Sequence, residues 1–109
     1  MRSTHLALTY YVVFSTKDRE PWIDAKWRDR FHSFLGGAAR SIDVVPIAVG
    51  GVADHVHLLL GLRATHALAA VLRDIKVASS RWVHEEIGQK RFAWLLEKCA
   101  VPYNPEHLW

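Results

Sequence analysis

At 109 residues the chain has the length of one domain and enough of it to bury a core; with half its residues apolar and 23% charged, it is no disordered segment. A net charge of +3, with seven histidines besides, permits an anionic partner such as nucleic acid without demanding one. The single cysteine, Cys99, excludes an intrachain disulfide and a cysteine-rich zinc knuckle. The apolar run at residues 6–14 is too short to cross a bilayer, and no leader is apparent, so a cytoplasmic protein with no membrane partner is expected.

Residues 6–15 are β-branched and aromatic, which predicts a first strand. The polar stretch 16–21 that follows brings two cations, Lys17 and Arg19, to the strand's end. Asp24 can cap a helix whose apolar positions Trp27, Phe31, Phe34, Leu35 and Ala38 keep a 3.6-residue spacing, and Gly36-Gly37 weaken its last turn. Residues 42–51 read as a second strand, with Pro46 pointing to a free edge or a bulge. Gly50-Gly51 is expected to turn the chain into a third strand at 52–62.

The third strand holds the most informative pattern in the chain, Asp54-His55-Val56-His57-Leu58-Leu59. Alternation on a strand puts His55 and His57 side by side on one face, and Val56, Leu58 and Leu60 on the other. Paired imidazoles on one side and branched aliphatics on the other make a candidate metal site with its own anchor in the core. A single histidine in a strand is more often structural; two at this spacing, preceded by Asp54, shift the reading toward a functional site.

Thr65 can cap a second helix over roughly 66–87, with Leu68, Val71, Leu72, Ile75, Ser79 and Trp82 on its buried face. Arg73, Lys76, Ser80 and His84 form a polar stripe, which on most helices is the solvated side. Residues 91–96 suggest a short fourth strand. Residues 97–109 contain Pro102 and Pro105 and no periodicity, and read as an irregular tail. Trp22, Trp27 and Trp82 are assigned to the core, although aromatic rings can also stack on unpaired bases. The order strand, helix, strand, strand, helix, strand predicts an α+β, ferredoxin-like (split βαβ) fold. It is an antiparallel four-stranded sheet with two helices on one face, and the histidines lie on the open one.

Three stretches, in this order, resemble the His-hydrophobe-His tyrosine transposases of the smallest bacterial insertion sequences and of extragenic palindromic repeats. They are residues 10–19, the motif His55-Val56-His57 with its flanks, and residues 72–80, in which Lys76 matches a characteristic lysine. The resemblance covers about residues 5–94, which divides the chain into a transposase domain at 1–96 and the tail at 97–109. It implies metal-assisted strand transfer in single-stranded or hairpin DNA, by a tyrosine that forms a 5′-phosphotyrosine. It also implies a divalent metal (Mg or Mn) on His55 and His57, with Asp54 orienting them, and a homodimer. Lys17, Arg19, Arg73 and Lys76 become the candidate DNA contacts.

The chain departs from the family pattern in two places. The family usually has histidine where Tyr11 stands. The family's tyrosine helix, with a ligand glutamine four residues on, has no match here. Tyr103 is the only tyrosine after the histidine motif, and so the one candidate nucleophile. Asn104-Pro105 is a natural helix start that leaves Tyr103 outside the helix, which favours an exposed tail residue. The competing reading is therefore a non-catalytic nucleic-acid-binding module derived from a transposase. A small metal-dependent hydrolase fits less well, because no general base stands beside the histidines.

Overall fold

The structure, a computed structural model, describes residues 8–100, with side chains through residue 95. Its strands are β1 (Leu8–Thr16), β2 (Val45–Val52), β3 (His55–Leu62) and β4 (Trp94–Ala100), and its helices are α1 (Ala25–Ser41) and α2 (Leu68–Trp82). All strand pairs are antiparallel, in the order β2-β3-β1-β4, the ferredoxin-like arrangement expected. Val12 and Phe14 of β1 and Val56, Leu58 and Leu60 of β3 are buried with Trp27, Phe31 and Leu35 of α1 and Val71 and Ile75 of α2. Both helices therefore cover one face of the sheet.

Asp24 caps α1 as expected, its carboxylate accepting from the Lys26 N–H at 2.8 Å. Trp27, Phe31 and Leu35 are buried, whereas Phe34 and Ala38 are only half-buried; Gly36 and Ala39 fill the face instead. The glycine pair does not end the helix early, because Gly36 is packed into the protein, and tertiary packing outweighs a propensity cost of about 1 kcal/mol per glycine. Residues 42–44 close the helix rather than starting a strand. Ile42 N–H and Val44 N–H both turn back to the Ala39 carbonyl, and Asp43 is left-handed at φ 66°. This is why β2 begins at Val45, three residues later than the composition suggests.

Pro46 lies on the edge strand, and the β2–β3 register slips between Pro46 and Ala48, as a proline there requires. The turn into β3 is Ala53-Asp54, not Gly50-Gly51, since both glycines pair with β3, opposite His57 and Val56. Thr65 does not cap α2. Ala67 occupies the cap position without a side-chain bond, and His66 holds the connection instead: it accepts from the Arg63 N–H at 2.9 Å and donates from Nε2 to the Ile42 carbonyl at 2.9 Å.

After Trp82 the helix widens into a π turn over Val83–Ile87, ended by left-handed Gly88, whose N–H reaches the Val83 carbonyl. Within α2's predicted face Val71, Leu72, Ile75 and Ser79 are buried, and Leu68 and Trp82 partly so. Trp27 is buried, and Trp22 and Trp82 pack against the core as assigned. Phe31 is the centre of an aromatic cluster, with the rings of Trp27, Trp82, Phe92 and Trp94 between 5.5 and 5.9 Å from it. β4 starts at Trp94 and continues to Ala100 opposite Tyr11, so 97–100 belong to the sheet rather than to an irregular tail. Residues 101–109, with Tyr103, lie outside the described residues.

Candidate functional site

β3 alternates as its sequence dictates. Val56, Leu58 and Leu60 are buried to 0–1% exposure, while His55 and His57 sit half-buried on the open face, their ring centroids 4.8 Å apart and nearly perpendicular. Register places Ser15 opposite His55 and Val13 opposite His57 on β1, and Val52 and Gly50 opposite them on β2. Each ring is held at Nδ1. Asp54 Oδ1 stands 2.8 Å from Nδ1 of His55, and the Tyr11 hydroxyl stands 2.6 Å from Nδ1 of His57. The Nε2 atoms have no hydrogen-bond partner among the described residues.

The electrostatics follow from these contacts. The bond to His55, with the charges of His55 and Arg19, keeps the Asp54 carboxyl below its usual range despite some desolvation. Burial, and then repulsion from His55, push the His57 imidazolium below its ordinary value, so His57 is neutral at pH 7, the form that ligates metals. Imidazole nitrogens fit a divalent transition ion better than magnesium, which prefers oxygen. They supply two ligands, and among the described residues no group of three His, Cys, Asp or Glu side chains converges.

The end of the sheet beyond the histidines is a tied cluster of loops. Thr16 N–H donates to the Asp54 carbonyl at 2.9 Å, Ile23 N–H to the Ala53 carbonyl at 2.9 Å, and the buried Thr16 hydroxyl to the Glu20 carbonyl at 2.7 Å. Between these anchors the turn Lys17–Arg19 carries its two exposed cations, with Asp18 and Arg19 both left-handed. Arg19 Nη1 is 3.8 Å from Asp54 Oδ2. The structure thus brings Lys17, Arg19, Asp54, His55 and His57 to one end of the molecule.

Arg73 and Lys76 are not part of that group. They ride on α2, which covers the other face of the sheet, and exposed Arg73 lies 3.7 Å from Asp74. Lys76 lines an open groove of about 620 Å³ with Ser80, Arg81, His84 and Trp94. The Lys17 N–H reaches the carbonyl of Ala93, on the same groove, so the two regions adjoin at that loop. Two contributors are not evident in the sequence: Tyr11 against His57, and Ser15, whose buried hydroxyl has no hydrogen-bond partner among the described residues and which stands opposite His55. Alternation along β1 puts Tyr11, Val13 and Ser15 on one face, but the register that aligns that face with the histidines is tertiary.

The family model described as "Transposase IS200 like" matches residues 4–102. The chain belongs to this family. Among solved structures, this transposase-family chain is similar to a candidate transposase from Deinococcus radiodurans R1, at TM-score 0.80 and 22% identity over 98% of this chain and 87% of that one. It is also similar to a REP-associated tyrosine transposase bound to a REP hairpin, at TM-score 0.68 and 14% identity over 97% of this chain. It spans 62% of that second protein. These likenesses bear on the transposase fold. Among curated proteins no match is found. Among the described residues of this family member, no helix is long and apolar enough to cross a membrane.

Proposed function

We propose that this transposase-family chain binds single-stranded or hairpin DNA and a divalent ion, Mn²⁺ or Mg²⁺, for tyrosine-mediated strand transfer. The observation that carries the reading is the pair His55 and His57, each anchored at Nδ1 and presenting Nε2 on the open face. When bound, the ion would polarise the scissile phosphate and stabilise charge on the transferring group. Asp54 orients His55 by accepting from its Nδ1–H. Lys17 and Arg19 meet phosphate beside the histidines, and Arg73 and Lys76 meet it along α2. The hairpin carried by the REP-associated relative supports this choice of partner.

The one candidate nucleophile in this reading is Tyr103, the only tyrosine after the histidine motif. Its hydroxyl oxygen forms a bond to phosphorus as the P–O3′ bond breaks, leaving a 5′-phosphotyrosine and a free 3′-hydroxyl. The homodimer belongs to the same proposal, and the described sheet offers the outer strands β2 and β4 for edge-to-edge pairing.

The test is incubation of the chain with a labelled hairpin DNA and Mn²⁺, followed by a denaturing gel. A covalent band lost in Tyr103→Phe and in His57→Ala supports strand transfer. DNA binding with no covalent band under any of these conditions rejects it and leaves a non-catalytic nucleic-acid-binding module. Lys76→Ala should weaken binding and reduce the salt slope by about one unit; an unchanged slope removes Lys76 from the interface.

A further inference from the structure

The two histidines are held at the same nitrogen by different chemistry. A carboxylate only accepts, so Asp54, 2.8 Å from Nδ1 of His55, keeps the proton on Nδ1 and the lone pair on Nε2. His57 has no carboxylate. Its Nδ1 meets the hydroxyl of Tyr11 at 2.6 Å, and the two rings stack at 5.8 Å with 30° between their planes. Tyr11 reaches His57 along a diagonal of the β1–β3 ladder, since Val13 stands directly opposite His57 and Leu59 opposite Tyr11. On the other flank His57 faces Gly50, where a Cβ would meet nothing within 4 Å. Among the described residues the Tyr11 hydroxyl is thus the sole hydrogen-bond brace on this ring.

We propose that Tyr11 is the positioning residue of His57, its hydroxyl oxygen accepting from Nδ1–H so that Nε2 is the atom offered to a divalent ion. This rests on the reading of the histidine pair as metal ligands. A phenol both donates and accepts, unlike a carboxylate. Without an ion the Tyr11 O–H can donate to Nδ1, which leaves the proton on Nε2. Binding then exchanges the tautomer: one proton leaves Nε2 for solvent, one reaches Nδ1, and the Tyr11 O–H turns away. The net charge of the protein is unchanged. Tyr11 orients His57 without adding the second negative charge that another carboxylate would bring beside Asp54.

The experiment compares the wild-type chain with Tyr11→Phe, which deletes the hydroxyl and keeps the ring. Mn²⁺ binding, read by electron paramagnetic resonance of the free ion, should weaken about ten-fold, as for other groups that orient a ligand histidine. The metal-free melting temperature should stay put, which a merely structural role would not predict. In the wild-type chain with Zn²⁺ as a diamagnetic probe, ring ¹⁵N spectra should show His57 protonated at Nδ1 and coordinated through Nε2. Equal Mn²⁺ affinity in both chains, or coordination of His57 through Nδ1, overturns the role of Tyr11 and leaves the histidine pair intact. A wild-type chain that binds neither ion overturns the histidine-pair reading and the proposal with it. The nitrogen spectrum needs no variant, so it decides the role of Tyr11 even where Tyr11→Phe fails to fold.

Discussion

Gly51→Ala should unfold this protein far more readily than the same change one residue earlier. Gly51 sits in β2 at φ 152°, and a Cβ built on it would lie 2.3 Å from the His55 carbonyl oxygen and 2.7 Å from the Val56 Cα. Both obstacles are backbone, so relief requires the β2–β3 pair to part by most of an ångström. Overpacking of this kind costs about 1–3 kcal/mol, and a non-glycine residue at a sparsely populated φ adds a further 1–3 or so. A total of about 3 kcal/mol is a large part of the roughly 5–15 kcal/mol that holds a small domain together. It corresponds to a fall of about 10–20 °C in melting temperature for a chain of this length.

The control is Gly50→Ala. That position pairs with His57 in the same strand, but its Cβ would meet nothing within 4 Å. Thermal unfolding followed by circular dichroism, metal-free and at one pH, compares the two variants directly. Because the clash falls on the His55 carbonyl, Gly51→Ala should also weaken the proposed Mn²⁺ binding at any temperature where the variant is folded. Melting temperatures within about 3 °C of each other, on the same scale of a few degrees per kcal/mol, would refute the reasoning and show that the strand yields at no cost.

Three further outcomes follow from buried contacts. Ser79→Ala strips the acceptor from the buried Trp94 indole N–H, which lies 2.8 Å from the Ser79 hydroxyl; it should cost about 1–3 kcal/mol in urea unfolding, and a variant as stable as wild type counts against that bond. Phe31→Ala removes the centre of the aromatic cluster and should cost about 3–5 kcal/mol by the same assay; a loss below about 1 kcal/mol would mean the surrounding rings collapse into the space. Burial lowers the pKa of His32 from its ordinary 6.5, outweighing attraction from Asp29, and its Nε2 has no hydrogen-bond partner among the described residues. The folded state therefore binds this proton less tightly than the unfolded chain, and stability is lost as pH falls below about 6.5 toward the lowered folded value. His32→Gln should lose less stability than wild type between pH 7 and pH 5, and parallel losses would exclude His32 as the cause.

Much of the architecture is legible in the sequence. Alternation in β3 separates the histidines from Val56, Leu58 and Leu60, and the 3.6-residue spacing of Trp27, Phe31 and Leu35 marks the core side of α1, because burial of one face writes itself into a local period. The element order limits the topology, and Asp24 marks a helix start that the structure keeps. Boundaries are harder to read. Residues 42–44, the glycine pair at 50–51 and Thr65 carry local signals that a cap, a strand pairing and His66 override, and each override comes from contacts that local sequence does not specify.

The same division runs through the candidate site. His55, His57 and Asp54 are neighbours in the chain, so their spacing alone places them together. Tyr11 lies 46 residues from His57, and only the β1–β3 register sets its hydroxyl on the ring nitrogen. Lys17 and Arg19 join the histidines because Thr16 and Ile23 bond to the turn before β3, while Arg73 and Lys76 leave them because α2 packs on the opposite face. Composition and periodicity record what each residue needs locally, burial or solvent. Which residues meet is decided by how strands align and helices pack, and a one-residue slip in register would bring different side chains to the histidines.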